Sequence, residues 1–186
     1  MIVVRKATLN DSKSIATYLF LAMEDIVYQF IGNKDPTKAM EFILHFVERG
    51  NNQYSYQNCW VAEDNTNVVG AINLYNGALL KELREPVVEY LVNKFNKDFS
   101  FEDETQAGEY YLDCLGVDPT QQSKGIGTKL LQFVIDAYVD RHKQTLGLLV
   151  DEDNPNAKRL YLKLGFKSVG KRVLFGKNME HLQIKR

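Results

Sequence analysis

Two rhythms of apolar and polar positions divide the chain. Short alternating or continuous apolar runs, bounded by turn-forming residues, predict strands at Val3 to Ala7, Cys59 to Glu63, Val68 to Tyr75, Tyr110 to Val117 and Leu146 to Val150. Two more follow, near Val169 to Phe175 and from about Met179 to Ile184. Helical spacing fills the gaps. Asn10-Asp11-Ser12 reads as a cap before an apolar-periodic run to about Phe30, and Asp35-Pro36-Thr37 opens a second helix ending near Gly50. Leu130, Leu131, Val134 and Tyr138 share a later face, with Arg141, His142 and Lys143 in its last turn, where cations suit the helix dipole. Ala157, Leu160, Tyr161 and Leu164 share another, and Gly165 terminates it. Asp64-Asn65 marks the turn of a hairpin between the second and third strands.

The link after the third strand is long. Within residues 76–107, Leu79, Leu80, Leu83, Val87, Val88, Tyr90, Leu91 and Phe95 predict one or two amphipathic helices, interrupted at Pro86. Such an insertion either packs on the sheet edge or walls an acceptor site.

The most informative junction runs from Val117 through Gln122-Ser123-Lys124-Gly125-Ile126-Gly127-Thr128 to Leu131. A polar, glycine-bearing turn there joins a strand to a helix. The first amides of a helix lack intrahelical acceptors and carry the positive end of its dipole, so such a corner suits a phosphate. The spacing is neither a P-loop nor a dinucleotide fingerprint. Just upstream, Gly116 inside a strand signals a bulge or a close backbone approach. A bulge would leave backbone groups near Leu115 and Val117 to pair with an amide-containing ligand as an added strand would.

These residues resemble the GNAT superfamily of acyl-CoA N-acyltransferases. The family's [Q/R]-x-x-G-x-[G/A] turn stands here as Gln122-Ser123-Lys124-Gly125-Ile126-Gly127. Its later N-x-x-A-x-x-L-Y-x-x-x-G-F pattern is matched by Asn154, Ala157, Leu160, Tyr161, Gly165 and Phe166. The resemblance implies an α/β fold in one domain over residues 1–186. It would have a mixed, mostly antiparallel central sheet of six to seven strands flanked by helices, with residues 76–107 as a helical insertion between the third and fourth strands. It implies acetyl-CoA as co-substrate and direct, sequential transfer of its acetyl group to a primary amine. Amides from Gln122, Ser123, Lys124, Gly125, Ile126, Gly127 and Thr128 would cradle the pyrophosphate. The backbone of Leu115 and Val117 would pair with the pantetheine arm, Asn154 would bond it from the opposite strand, and Tyr161 would protonate the leaving thiolate.

An attacking amine must be neutral, so a base is required. The family position that often carries a glutamate is Tyr111 here. Asp113 is the first candidate base, acting directly or through water, and Glu109 the second, since strand alternation puts Glu109, Tyr111 and Asp113 on one side. The same alternation turns Cys114 away, which argues against an acetyl-cysteine intermediate. Lys124 and Lys129 flank the phosphate turn, and Glu24 and Asp25 stand late in the first helix, where family acceptors approach.

With 186 residues and 45% hydrophobic content, the chain suits one domain with a sizeable core. A net charge of −1 offers no basic field for nucleic acid. No apolar run approaches the length of a membrane span, and the N-terminus lacks a signal peptide's core. Cys59 and Cys114 read as buried thiols, and the scattered His45, His142 and His181 suggest no metal site. A cytoplasmic enzyme is the simplest placement. The acceptor is open between small-molecule and protein amines, and a homodimer is left open because many members of the family pair. A non-catalytic acyl-CoA-binding sensor is the competing function, and an unrelated nucleotide-phosphate binder the third.

Overall fold

The computed structural model describes residues 1–95 and 102–186; residues 96–101 of the expected insertion lie outside the described residues. Seven strands form one sheet: β1 (Val3–Lys6), β2 (Cys59–Asp64), β3 (Asn67–Asn76), β4 (Tyr110–Val117), β5 (Leu146–Asp151), β6 (Lys167–Leu174) and β7 (Lys177–Ile184). Their order is β1-β2-β3-β4-β5-β7-β6, antiparallel except where β4 meets β5. Helices α1 (Ser12–Ile31), α2 (Pro36–Val47) and α3 (Leu80–Phe95) cover one face, and α4 (Ile126–Val134) and α5 (Pro155–Lys163) the other.

Local chemistry sets most boundaries. Thr8 and Asp11 form a capping box ahead of α1, and Arg5 on β1 grips Asp11 through both guanidinium ends, at 2.8 and 2.9 Å. Asp35 Oδ1 accepts from the amides of Thr37 and Lys38, with Pro36 in the first turn of α2. The β2–β3 turn is Asn65-Thr66, one residue later than expected. Both have positive φ, 47° and 73°, as a two-residue turn matched to the strand twist requires. Phe175-Gly176 repeats that device between β6 and β7.

Two cores sandwich the sheet. On one side Ile15, Leu19, Phe30, Phe42, Ile43 and Phe46 pack with Val87 and Leu91 of α3. On the other, Leu130, Leu131 and Val134 of α4 pack with Leu146, Leu148, Phe166 and Leu182. Leu9–Ile31 is, against the sequence expectation, long and apolar enough by composition alone to cross a bilayer, yet half of that window is buried within the fold. The expected break at Pro86 does not occur: α3 is one helix through it. Beyond Val134 the helix widens into a π-helical segment, Ile135–Arg141.

The bulge in β4 falls at Asp113, not at Gly116. Cys114 pairs with Asn73 and Leu112 with Leu74, so Asp113 is the extra residue. Gly116 answers to a close approach instead, because a Cβ there would stand 2.0 Å from the Tyr18 carbonyl oxygen of α1. The parallel β4–β5 pairing ends at Leu112 and Leu148. Past that point β4 keeps only β3, and its other edge is open.

Candidate active site

The strand-to-helix corner after β4 turns free helix-start amides toward a groove. Ser123 and Gly125 take positive φ, 63° and 79°, which turns the chain sharply into α4. The first bond of that helix runs from the Lys129 amide to the Gly125 carbonyl at 2.9 Å. The amides of Ile126, Gly127 and Thr128 precede it and have no intrahelical acceptor. A groove of about 340 Å³ lies against this corner, lined by Leu115, Val117, Gln121, Gln122, Ser123, Gly125, Ile126, Gly127, Thr128 and Leu160. Of the expected cradle residues only Lys124 is absent from its lining; its Nζ donates to Gln121 Oε1 at 2.9 Å. Lys129 also turns away, its Nζ donating to the Ile2 carbonyl.

Leu115 also lines a second, deeper cavity of about 380 Å³, so groove and cavity adjoin where β4 and β5 splay. Asp113, Cys114, Asn154 and Tyr161 all line this cavity. Asn154 caps α5, its Oδ1 accepting from the Ala157 amide at 3.1 Å, which leaves Nδ2 for a ligand. Tyr161 stands edge-on to Phe166 at 5.8 Å. Burial, then the neighbouring Cys114, pushes its hydroxyl up to about 12.

Asp113 is the outlier of the site. Its Oδ2 is sealed from solvent with no hydrogen-bond partner among the described residues. Desolvation, reinforced by the nearby Glu104 and only partly opposed by Arg84, holds its carboxyl well above the ordinary aspartate range. Glu104 itself is fully engaged. It accepts from Gln53 Nε2 at 2.7 Å and the Tyr75 hydroxyl at 2.9 Å through Oε1, and pairs with Arg84 at 3.3 Å through Oε2.

Two sequence expectations need correction. Cys114 does not point away: the bulge at Asp113 breaks the alternation, and both residues line the cavity on the α1 side of the sheet. The Cys114 thiol donates to the Leu19 carbonyl at 3.7 Å, and burial, then the adjacent Asp113, drives it well above the usual thiol range. Glu109 does not reach the cavity. Burial would raise its carboxyl, but hydrogen bonds from His181, Thr105 and Gln183 hold it below its ordinary value. Helix α3 lines no part of the cavity; the segment after it does so through Glu104. Sequence reasoning missed Glu104, Gln53 and Tyr54, which have no motif and are joined to β4 only by folding.

A mostly antiparallel sheet that splays at its one parallel pair, beside an amide-lined corner, defines the acyl-CoA-dependent N-acyltransferase class. The Acetyltransferase (GNAT) family profile matches residues 20–166, and the chain belongs to that family of acetyltransferases, whose members use acetyl-CoA. An acetyltransferase crystal structure is similar at 30% identity and TM-score 0.82, with 98% of both chains covered. An N-acetyltransferase from Staphylococcus aureus Mu50 shares the fold at 22% identity and TM-score 0.84, over 98% of this chain and all of that one. Mycothiol acetyltransferase from Kytococcus sedentarius is 35% identical over 74 residues, 40% of this chain and 24% of its own length. The chain thus spans about a quarter of that curated relative.

Proposed function

We propose that the protein transfers the acetyl group of acetyl-CoA directly to a primary amine. The amides from Gln122 to Thr128 hold the pyrophosphate, with the dipole of α4 adding to their attraction. The open edge of β4 at Leu115 and Val117 pairs with the pantetheine amides, and Asn154 Nδ2 bonds the arm from across the splay. That places the thioester in the cavity between Asp113 and Tyr161.

The chemistry follows from the two environments. An amine arrives as an ammonium ion. Asp113, a strengthened base because its carboxylate is poorly solvated, takes one proton directly or through water. The neutral nitrogen attacks the thioester carbon, the C–N bond forms and the C–S bond breaks. Tyr161 gives its proton to the departing thiolate and is restored by the proton shed from the acylated nitrogen. The thiol of Cys114 stays protonated, which favours direct attack over an acetyl-enzyme. The buried carboxyl of Asp113 in the cavity supports the transferase over a non-catalytic acyl-CoA sensor.

The observation carrying this reading is that Asp113 and Tyr161 line one cavity that meets the amide-lined groove at Leu115. Thiol release with an amine acceptor tests it. Tyr161→Phe is expected to lower kcat by about 100-fold with the KM for acetyl-CoA unchanged. An unchanged kcat removes the acid role, and failure of coenzyme A to raise the melting temperature removes the transferase reading itself.

A further inference from the structure

The cavity has a polar inner wall and an apolar rim. Gln53, Tyr54, Glu104 and Tyr111, each no more than 5% exposed, form the wall beside Asp113. Glu104 is occupied by Gln53, Tyr75 and Arg84. Tyr54 and Tyr111 line the cavity together with Asp113, and neither phenol hydroxyl is engaged by another described residue. The wall therefore brings one carboxyl and two phenols to an incoming group, the number of acceptors that the three N–H donors of a primary ammonium can use. The rim is Ala22, Met23, Ile26 and Phe30 from α1, with Leu174, Phe175 and Met179 from the β6–β7 hairpin.

Among the described residues no Lys, Arg or His lines the cavity. Arg84 stands behind Glu104, held by Asp103, Glu104 and the Glu102 carbonyl. An acceptor carrying its own carboxylate would press an anion against Asp113 and Glu104 with no cation among the described lining residues to receive it. The cavity of about 380 Å³ must also take the thioester end of the donor, so the part of the acceptor that enters it is small.

We infer that the acceptor is a small primary amine with an apolar, carboxylate-free body, its ammonium seated among Asp113, Tyr54 and Tyr111 and its body against Met23, Ile26 and Phe175. This assignment rests on the transferase reading above. It disfavours free amino acids, whose carboxylate meets no cation among the described lining residues. A secondary amine loses one of the three donors and fits less well.

Thiol release measured with four acceptors tests the assignment: 2-phenylethylamine, its N-methyl derivative, phenylalanine, and a short peptide beginning with phenylalanine. The expected kcat/KM for 2-phenylethylamine exceeds that for phenylalanine by at least about 100-fold, since like charges brought together cost several kcal/mol. It exceeds the N-methyl compound by about tenfold. Ala22→Asp, at an exposed rim position, is expected to shift the preference from 2-phenylethylamine toward 1,4-diaminobutane. Phenylalanine or the peptide as the better substrate overturns the assignment and leaves the transferase intact. Thermal protection by acetyl-CoA without acetylation of any of these amines also overturns the assignment. Absence of both acetyl-CoA protection and thiol release instead overturns the transferase reading.

Discussion

Replacing Asp113 by Asn should abolish turnover and stabilise the fold, and the stabilisation should depend on pH in a defined direction. The carboxyl is raised in the folded state above its unfolded value of roughly 3.9, so the native protein binds more protons than the unfolded chain between the two values. Stability linked to this group is then complete at low pH and is lost as pH rises through that window. Each pH unit inside it costs about 1.4 kcal/mol for one proton. Asn carries no such penalty. Relative to the parent, Asp113→Asn should therefore gain stability as pH rises from about 4 through that window, by up to about 1.4 kcal/mol per pH unit. For a chain of this size that is about 3–6 °C in melting temperature. The groups facing Asp113 are Glu104, Arg84, Tyr54, Tyr75, Tyr111, Cys114 and Cys59. All are shared by both proteins, so the difference reports the Asp113 carboxyl together with its coupling to these neighbours. Thermal or urea melts at half-unit steps, paired with thiol-release assays, give both readouts. A difference in stability that stays flat with pH would refute the argument, because it would mean that Asp113 is solvated or paired.

Gly116→Ala should destabilise the fold by about 3 kcal/mol or more, since its Cβ would lie 2.0 Å from the Tyr18 carbonyl and α1 would have to retreat; a urea melt reads this directly. Gly127→Glu meets only ordinary contacts, 3.4 Å to Leu115, so the fold should hold while the KM for acetyl-CoA rises at least about tenfold from a carboxylate facing the pyrophosphate. Asp11 is held down to about 2 chiefly by its hydrogen bond to Arg5, despite partial desolvation, so its stabilisation is present above pH 4 and lost as pH falls toward 2. Asp11→Ala should cost about 1–2 kcal/mol at neutral pH by chemical denaturation, with the deficit closing across that acid window.

The sequence carried the strand and helix order well, because apolar period and turn residues are local properties. Asn154, Tyr161 and the Gln122–Thr128 corner were legible for the same reason: each sits at a helix start or on one helix face, where spacing alone fixes direction. Facing along β4 was not. Alternation placed Cys114 opposite Asp113, and a single bulged residue reversed that. Gly116 announced a special backbone position but not which, since strand bulge and helix contact leave the same mark in a sequence. Glu109 and Asp113 looked equivalent by parity. One is quenched by three hydrogen bonds from His181, Thr105 and Gln183, and the other is stranded beside Glu104.

The chain by itself determined the class of fold, the phosphate corner and the candidate acid, since all three depend on residues within about one turn or one strand of each other. Tertiary structure decided which carboxylate of β4 is desolvated and what walls the cavity around it. Those depend on how far Gln53, Tyr54 and Glu104 stand from β4 after folding, and on whether water and counter-charges reach Asp113. Desolvation is a property of the enclosed volume, and no segment of a sequence encodes it alone.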